Sequence, residues 1–162
     1  MTRGYDSESL LENVRMAIRG RNTSTLGLLK TRRNEDIDDE VYDLLEVANL
    51  ADKAHTQAGN LAHGEQQWLE IVMAVSTDPE LLLLDEPTSG MGTQETNETV
   101  ALLNRIKEQT DVSMLIVEHD MDFIQQVSNN LTVLHHGAVL AQGSVADVRQ
   151  NQEVKEVYLG RE

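Results

Sequence analysis

Cysteine is absent from the 162 residues. No disulfide and no thiolate metal site can form, and a reducing compartment is the natural home of such a chain. Lysine is nearly as scarce, occurring only at Lys30, Lys53, Lys107 and Lys155. Acidic residues number 28 against 13 Lys and Arg, which gives a formal charge of −15. A nucleic-acid surface needs a basic patch, so the balance argues against that class of partner. It fits a salt-rich cytoplasm, where screening shortens charge repulsion to about 3 Å, and it fits an ordinary acidic cytosolic protein equally well. No apolar run approaches the roughly 20 residues of a membrane span, and the polar start, Met1 to Leu10, carries no secretory signal. At 18.1 kDa, without repeats or low-complexity segments, the length suits one domain, or a small lobe with part of a second.

What the chain does have is concentrated between Leu61 and Ser89. Gly64 opens a helix whose apolar stripe runs through Trp68, Ile71, Val72 and Val75, at i, i+3, i+4 and i+7. Asp78-Pro79 breaks it, and Leu81 to Leu84 lead straight into Asp85 and Glu86. Four leucines without alternation predict a short strand buried on both faces, as in a parallel sheet covered by helices. Carboxylates at the end of such a strand are costly unless the end opens into a ligand crevice. There one acid can hold a hydrated cation and the other can polarise a water. A strand meeting solvent just before a turn is the plainer alternative.

The first sixty residues read as a small all-helical lobe. Ser9 and Glu12 have capping-box spacing, with Asp6 and Ser7 as alternative caps, before Leu10, Val14 and Ile18, and the helix ends at Gly20. Thr23 to Lys30 suits a second short helix and Thr31 to Asp36 a loop. From Ile37, the residues Val41, Leu44, Leu45 and Ala48 continue an amphipathic helix, whose acids Asp38, Asp39, Glu40, Asp43 and Glu46 read as a solvated face. Ala51 to Asn60 is a turn-rich connector. Beyond the central stretch, Thr93 to Lys107 reads as a helix with Val100, Leu102, Leu103 and Ile106 inward, and Val112 to Val117 as a strand ending at Glu118-His119-Asp120. Met121 to Val127 is helical. Leu131 to Leu134 and Ala138 to Ala141 are two strands joined by a tight turn at His135-His136-Gly137, and Ser144 with Asp147 caps a terminal helix that breaks near Asn151.

The segments LAHGEQQ (61–67), LLLLDEP (81–87), TSGMG (88–92) and VEHD (117–120) resemble, in order and spacing, the signature, Walker B, D-loop and switch histidine of ABC transporter ATP-binding subunits. HGEQQWLEI, VEHDM, TVLHHG and VYLGR are most similar to the importers of urea and branched-chain amino acids, with the urea member nearest. The resemblance implies an α/β P-loop NTPase fold in truncated form. Residues 1–60 would belong to the helical subdomain, and residues 61–162 would supply the signature helix and the carboxyl-terminal part of the RecA-like core sheet. It implies ATP and Mg²⁺ as cofactors, with Asp85 holding the metal through water, Glu86 polarising the attacking water and His119 meeting the γ-phosphate. Ala62, His63, Gly64 and Glu65 would face the ATP of an opposite subunit, with Ser89, Gly90, Met91 and Gly92 as the D-loop beside it. The implied partners are a second ATPase subunit, transmembrane permeases and, indirectly, an extracellular solute-binding protein, at the cytoplasmic face of the membrane. Trp68 reads as packing, and His55, His63, His135 and His136 as structural or surface residues without metal-ligand spacing.

Three departures qualify that resemblance. No G-x-x-x-x-G-K-[ST] occurs, no lysine follows a glycine, and the first glutamine is Gln57, so neither the phosphate-cradling P-loop nor the Q-loop has a source here. Ala62 stands where the signature usually carries serine, and Gly92 where the D-loop usually carries aspartate. The expectation is therefore an ATPase domain begun after the Q-loop and inactive by itself, with Leu81 to Leu84 presenting an open apolar edge. The alternative is a non-catalytic remnant or partner that lends only a signature face to another ATPase subunit.

Overall fold

The computed structural model describes residues 6–21 and 34–159. They fall into two compact units, the first ending at Glu118 and the second beginning at His119.

In the first unit, helix α1 (Leu10–Arg21) is capped by Ser9, whose Oγ accepts from the Glu12 amide at 3.2 Å. It runs one residue past Gly20. Helix α2 (Asn34–Val47) begins three residues before Ile37, so Asn34 to Asp36 are helical and not loop. The helix expected over Thr23 to Lys30, and the rest of that loop, lie outside the described residues. The helices pack through Leu10, Val14 and Ile18 on α1 and Ile37, Val41 and Leu45 on α2, all buried. The acids of α2 are not simply a solvated face: Asp38 accepts from Arg15 Nε at 2.9 Å and Glu40 pairs with Arg21 at 3.1 Å. Burial works against the charged form of Arg15. The Asp38 hydrogen bond and the charges of Glu12 and Asp38 outweigh it and hold the guanidinium above its ordinary pKa. Ala51 to Asn60 forms two tight turns that fold back onto the start of α1, with Leu10 and Leu11 amides bonded to the Thr56 and Ala54 carbonyls.

Helix α3 (His63–Val75) buries Trp68, Leu69, Ile71, Val72 and Val75. It closes through Ser76 and stops before Pro79, with Asp78 left-handed (φ 57°) just ahead of the proline. Strand β1 (Leu81–Asp85), helix α4 (Thr93–Gln109) and strand β2 (Ser113–Val117) then make a βαβ unit with β1 and β2 parallel, Leu81 opposite Ser113 and Asp85 opposite Val117. Among the described residues β1 pairs with no other strand. The strand is not buried on both faces. Leu82 is buried, but Leu83 is 66% exposed and Leu115 beside it 58%, with Leu81 and Val117 also open. The leucine run shows alternation in burial that it lacks in sequence, because only one face of this two-stranded sheet is covered.

In the second unit, helix α5 (Met121–Val127) is capped by Asp120, which accepts from the Asp122 and Phe123 amides. Strands β3 (Asn130–His135) and β4 (Ala138–Ser144) form an antiparallel hairpin with a bulge at Val133/Leu134. Its two-residue turn, His136-Gly137, has both φ angles positive (48° and 78°), the twist-matched form for a hairpin. Helix α6 (Val145–Gln150) is capped by Ser144, and Asn151 breaks it and caps the single turn α7 (Gln152–Val154). Val133, Val148 and Val154 form a buried apolar cluster in this unit.

Candidate functional site

Asp85 is the last residue of β1 and Glu86 the first beyond it; both are exposed. The parallel ladder continues into Glu86, whose amide donates to the Val117 carbonyl at 2.8 Å. Its φ is nevertheless +46°, a left-handed conformation that costs a non-glycine residue roughly 1–2 kcal/mol. That turn ends the strand's alternation at the second acid. The next turn is closed by Ser89, whose amide donates to the Glu86 carbonyl at 3.0 Å.

The loop that follows, Thr88 to Gly92, is tied down along its length. Thr88 donates to Glu118 Oε1 from its amide (3.2 Å) and its hydroxyl (2.5 Å), which joins the loop to the end of β2. The Ser89 carbonyl lies 3.2 Å from His63 Nε2, and Gly90, at φ 77°, passes against the same imidazole. Met91 Sδ lies 3.3 Å from the Thr99 hydroxyl. The Gly92 amide donates to Glu95 Oε2 at 3.0 Å, which caps α4.

At the start of α3, Ala62 is the cap residue and has no side-chain oxygen to offer. Glu65 supplies the reciprocal half of a capping box by accepting from the Ala62 amide at 3.2 Å, and it pairs with Lys53 at 2.5 Å. Ala62 and His63 are exposed, whereas Gly64 is buried, so the glycine has a packing reason of its own. A Cβ there would lie 2.9 Å from Glu95 Oε1. Trp68 is buried and donates from Nε1 to Thr99 Oγ1 at 2.8 Å, in keeping with a packing residue.

A cavity of about 230 Å³ lies between α3 and β1, lined by Gln67, Glu70, Ile71, Ala74, Leu82 to Asp85, and Pro87. Gln67 Oε1 is buried without a hydrogen-bond partner. His119 is exposed as the first residue of the second unit, directly after Glu118 and before the Asp120 cap.

The structure thus assembles in one unit the start of α3, the acid pair and the loop after it. Three contributors went unnoticed in the sequence. Glu95 lies three residues after Gly92, at capping-box spacing. Thr99 is a polar residue on the stripe otherwise made by Leu102, Leu103 and Ile106. Glu118 sits inside a motif in which only the histidine drew notice.

A divalent metal can be tested against this donor set. Among the described residues no three His, Asp or Glu side chains converge as a metal cage. Mg²⁺ needs none, because it commonly keeps its waters and takes one or two carboxylates plus phosphate oxygens. An exposed Asp85 at a strand end fits that role, while no phosphate cradle with its lysine occurs in these 162 residues.

Comparison with known proteins decides the family. The ABC transporter family model matches residues 5–89, and a branched-chain amino acid ATP-binding cassette transporter model matches residues 138–162. The chain belongs to the ABC transporter family. It is 37% identical over 162 residues to the high-affinity branched-chain amino acid transport ATP-binding protein BraF of Pseudomonas aeruginosa, covering 96% of this chain and 64% of that protein. LivG of Escherichia coli, with the same description, is 37% identical over 138 residues, covering 83% of this chain and 54% of LivG. The chain therefore spans between about half and two thirds of the length of these relatives. Among solved structures, the ADP conformation of an ATP-binding cassette of an ABC transporter superposes with a TM-score of 0.74 at 23% identity, covering 99% of this chain and 66% of that one. An inward-facing metal-chelate type ABC transporter gives 0.78 at 18% identity, covering 99% and 61%. These likenesses carry the fold: that of an ABC ATPase cassette.

Proposed function

We propose that the chain supplies the hydrolytic carboxylates and the signature face of an ATP-hydrolysing subunit that drives import of branched-chain amino acids. One observation carries the reading: Asp85 and Glu86 leave the carboxyl end of a parallel strand, with Asp85 opposite Val117, the last residue of β2. The relatives' names favour branched-chain amino acids over urea as the class of solute.

In this reading Asp85 would hold a magnesium ion accompanying ATP, and that ion would supply charge neutralisation on the phosphates. Glu86 accepts a hydrogen bond from the attacking water and holds it in line, so that positioning and electrostatics carry the catalysis. His119 aligns that water and meets the γ-phosphate. Ala62 to Glu65 present the start of α3, whose free amides and dipole favour a phosphate, to nucleotide held by a second ATPase subunit. Ser89 to Gly92 lie beside it. Residues 1–60 form part of the helical subdomain, docking on transmembrane permeases at the cytoplasmic membrane face, and residues 61–162 supply the signature helix and the carboxyl-terminal part of the core. A solute-binding protein enters only through the permeases. No helix among the described residues is long and apolar enough to cross a membrane, which suits a peripheral subunit.

Ala62, which lacks a hydroxyl where the signature usually carries serine, favours a second reading, a partner that lends its signature face to a complete ATPase. The test pairs the chain with a P-loop-bearing amino-terminal half and measures ATP turnover. Glu86→Gln is expected to lower turnover by roughly a hundredfold or more. Turnover unchanged by Glu86→Gln overturns the hydrolytic reading.

A further inference from the structure

We infer that Thr99 is a positioning residue that makes the start of α3 and the loop Thr88–Gly92 move as one body. The inference rests on the proposed function only for its catalytic consequence; the linkage itself is a matter of contacts.

Thr99 is fully buried on α4, where an aliphatic residue would continue the stripe. Its hydroxyl accepts from Trp68 Nε1 at 2.8 Å and so holds α3. The one proton it can donate faces two acceptors: the Glu95 carbonyl at 2.9 Å and Met91 Sδ at 3.3 Å. The same oxygen therefore touches the signature helix, the first turn of α4 and the loop. Two further ties act in parallel. His63 reaches the Ser89 carbonyl, and Glu95 caps Gly92 while lying against Gly64. Thr88 is fastened separately to Glu118 at the end of β2. A displacement of the first two turns of α3 is thus carried through three contacts, from His63, Gly64 and Trp68, into a loop whose other end is anchored beside the acid pair. Packing alone would let these parts slide; a buried hydroxyl shared between them fixes their register, because breaking it strands the Trp68 N–H without a partner.

The test needs no nucleotide and uses the whole chain, whose only tryptophan is the reporter. Thr99→Val keeps the shape and removes the hydroxyl; Thr99→Ser keeps the hydroxyl. Valine is expected to shift the Trp68 emission and to speed amide exchange at Met91 and Gly92 roughly fivefold, leaving the interior of α3 and the β3–β4 hairpin unchanged. Serine is expected to restore both. Exchange that stays unchanged at Met91 and Gly92, rises equally across α3 and α4, or is not restored by serine overturns the linkage. Should Thr99→Val not fold, Trp68→Phe gives the same exchange readout. In the assembly with a P-loop-bearing half, Thr99→Val is expected to lower kcat about fivefold at unchanged KM for ATP; an unchanged kcat overturns the positioning role. An assembly in which the unsubstituted chain shows no hydrolysis fails the proposed function instead, and the exchange data still decide the linkage.

Discussion

Gly64 and Glu95 touch so closely that a single added methyl would collide: a Cβ on Gly64 would stand 2.9 Å from Glu95 Oε1. The same carboxylate caps Gly92 through its other oxygen. Gly64→Ala is expected to displace the flexible end of Glu95, while alanine's better helix propensity offsets part of the loss, so that stability changes by less than about 1 kcal/mol. The signature of the substitution is local. Amide exchange at Gly92 should accelerate while the α3 interior stays protected, and an unaltered Gly92 would show that Glu95 caps α4 without leaning on Gly64.

Adjacent leucines of β1 have opposite fates. Leu82 is 5% exposed and Leu83 66%. Leu82→Ala is expected to cost about 2–4 kcal/mol in urea unfolding, as a buried large-to-small change does. Leu83→Thr should cost less than about 0.5 kcal/mol and reduce binding of an apolar-surface dye, because it removes part of the open face formed with Leu81, Leu115 and Val117. Equal costs at the two positions would mean that the open face is covered in solution.

This contrast also marks where sequence reading stops. The positions of β1, α4, β2, α5 and the β3–β4 hairpin follow from hydrophobic period and turn residues, which are local properties of the chain. The burial of Leu83 is not local. It depends on which layers cover the sheet, and four identical residues encode no difference between faces. The acid pair was visible because charge at the end of an apolar strand violates the local rule. Thr99, Glu95 and Glu118 were harder to see, since a threonine in a helix and glutamates in an acidic chain violate nothing. Their importance lies in contacts made 8 to 31 residues away, such as Thr99 with Met91 and with Trp68.

His136 occupies the first central position of the hairpin turn at φ 48°, beside Gly137 at 78°. Histidine tolerates that region poorly compared with asparagine or glycine. His136→Asn is expected to stabilise the chain by a few tenths of a kcal/mol, and His136→Val to destabilise it by about 1–2 kcal/mol. Thermal unfolding of the pair checks both. The reverse order would indicate that the tilted ring contact of His136 with His135, at 4.0 Å between ring centroids, outweighs the backbone term.

The hydrogen bond to Glu65 holds Lys53 protonated above its ordinary 10.5, with the Glu65 and Asp52 charges adding to it. A cation whose folded pKa is raised contributes stability in full below its unfolded pKa and loses it as pH rises through the folded one. Lys53→Met should therefore lower the unfolding midpoint at pH 7 to 9, and the difference from the unsubstituted chain should begin to close only above about pH 10.5, as pH rises through the raised folded value. A gap that persists unchanged into that alkaline range would assign the effect to packing of the lysine stem and not to the ion pair.

ATP affinity of the chain by itself follows from its phosphate-binding groups. The family's cradle combines a run of backbone amides with a lysine that reaches the β- and γ-phosphates. Here none of the four lysines follows a glycine. Lys53 is already engaged by Glu65. The amides at the start of α3 remain as an anion seat, but Ala62 adds no hydroxyl to them and Glu65 and Glu95 place carboxylates close by. A chain of charge −15 also repels a polyanion over the approach. Titration with labelled ATP and Mg²⁺ is expected to show no saturable binding tighter than about 1 mM. Adding the P-loop-bearing half should bring affinity into the micromolar range. Micromolar binding by the 162 residues alone would mean that the acid-rich end of β1 and the start of α3 make a phosphate site without the cradle, and would reverse the division of labour proposed here.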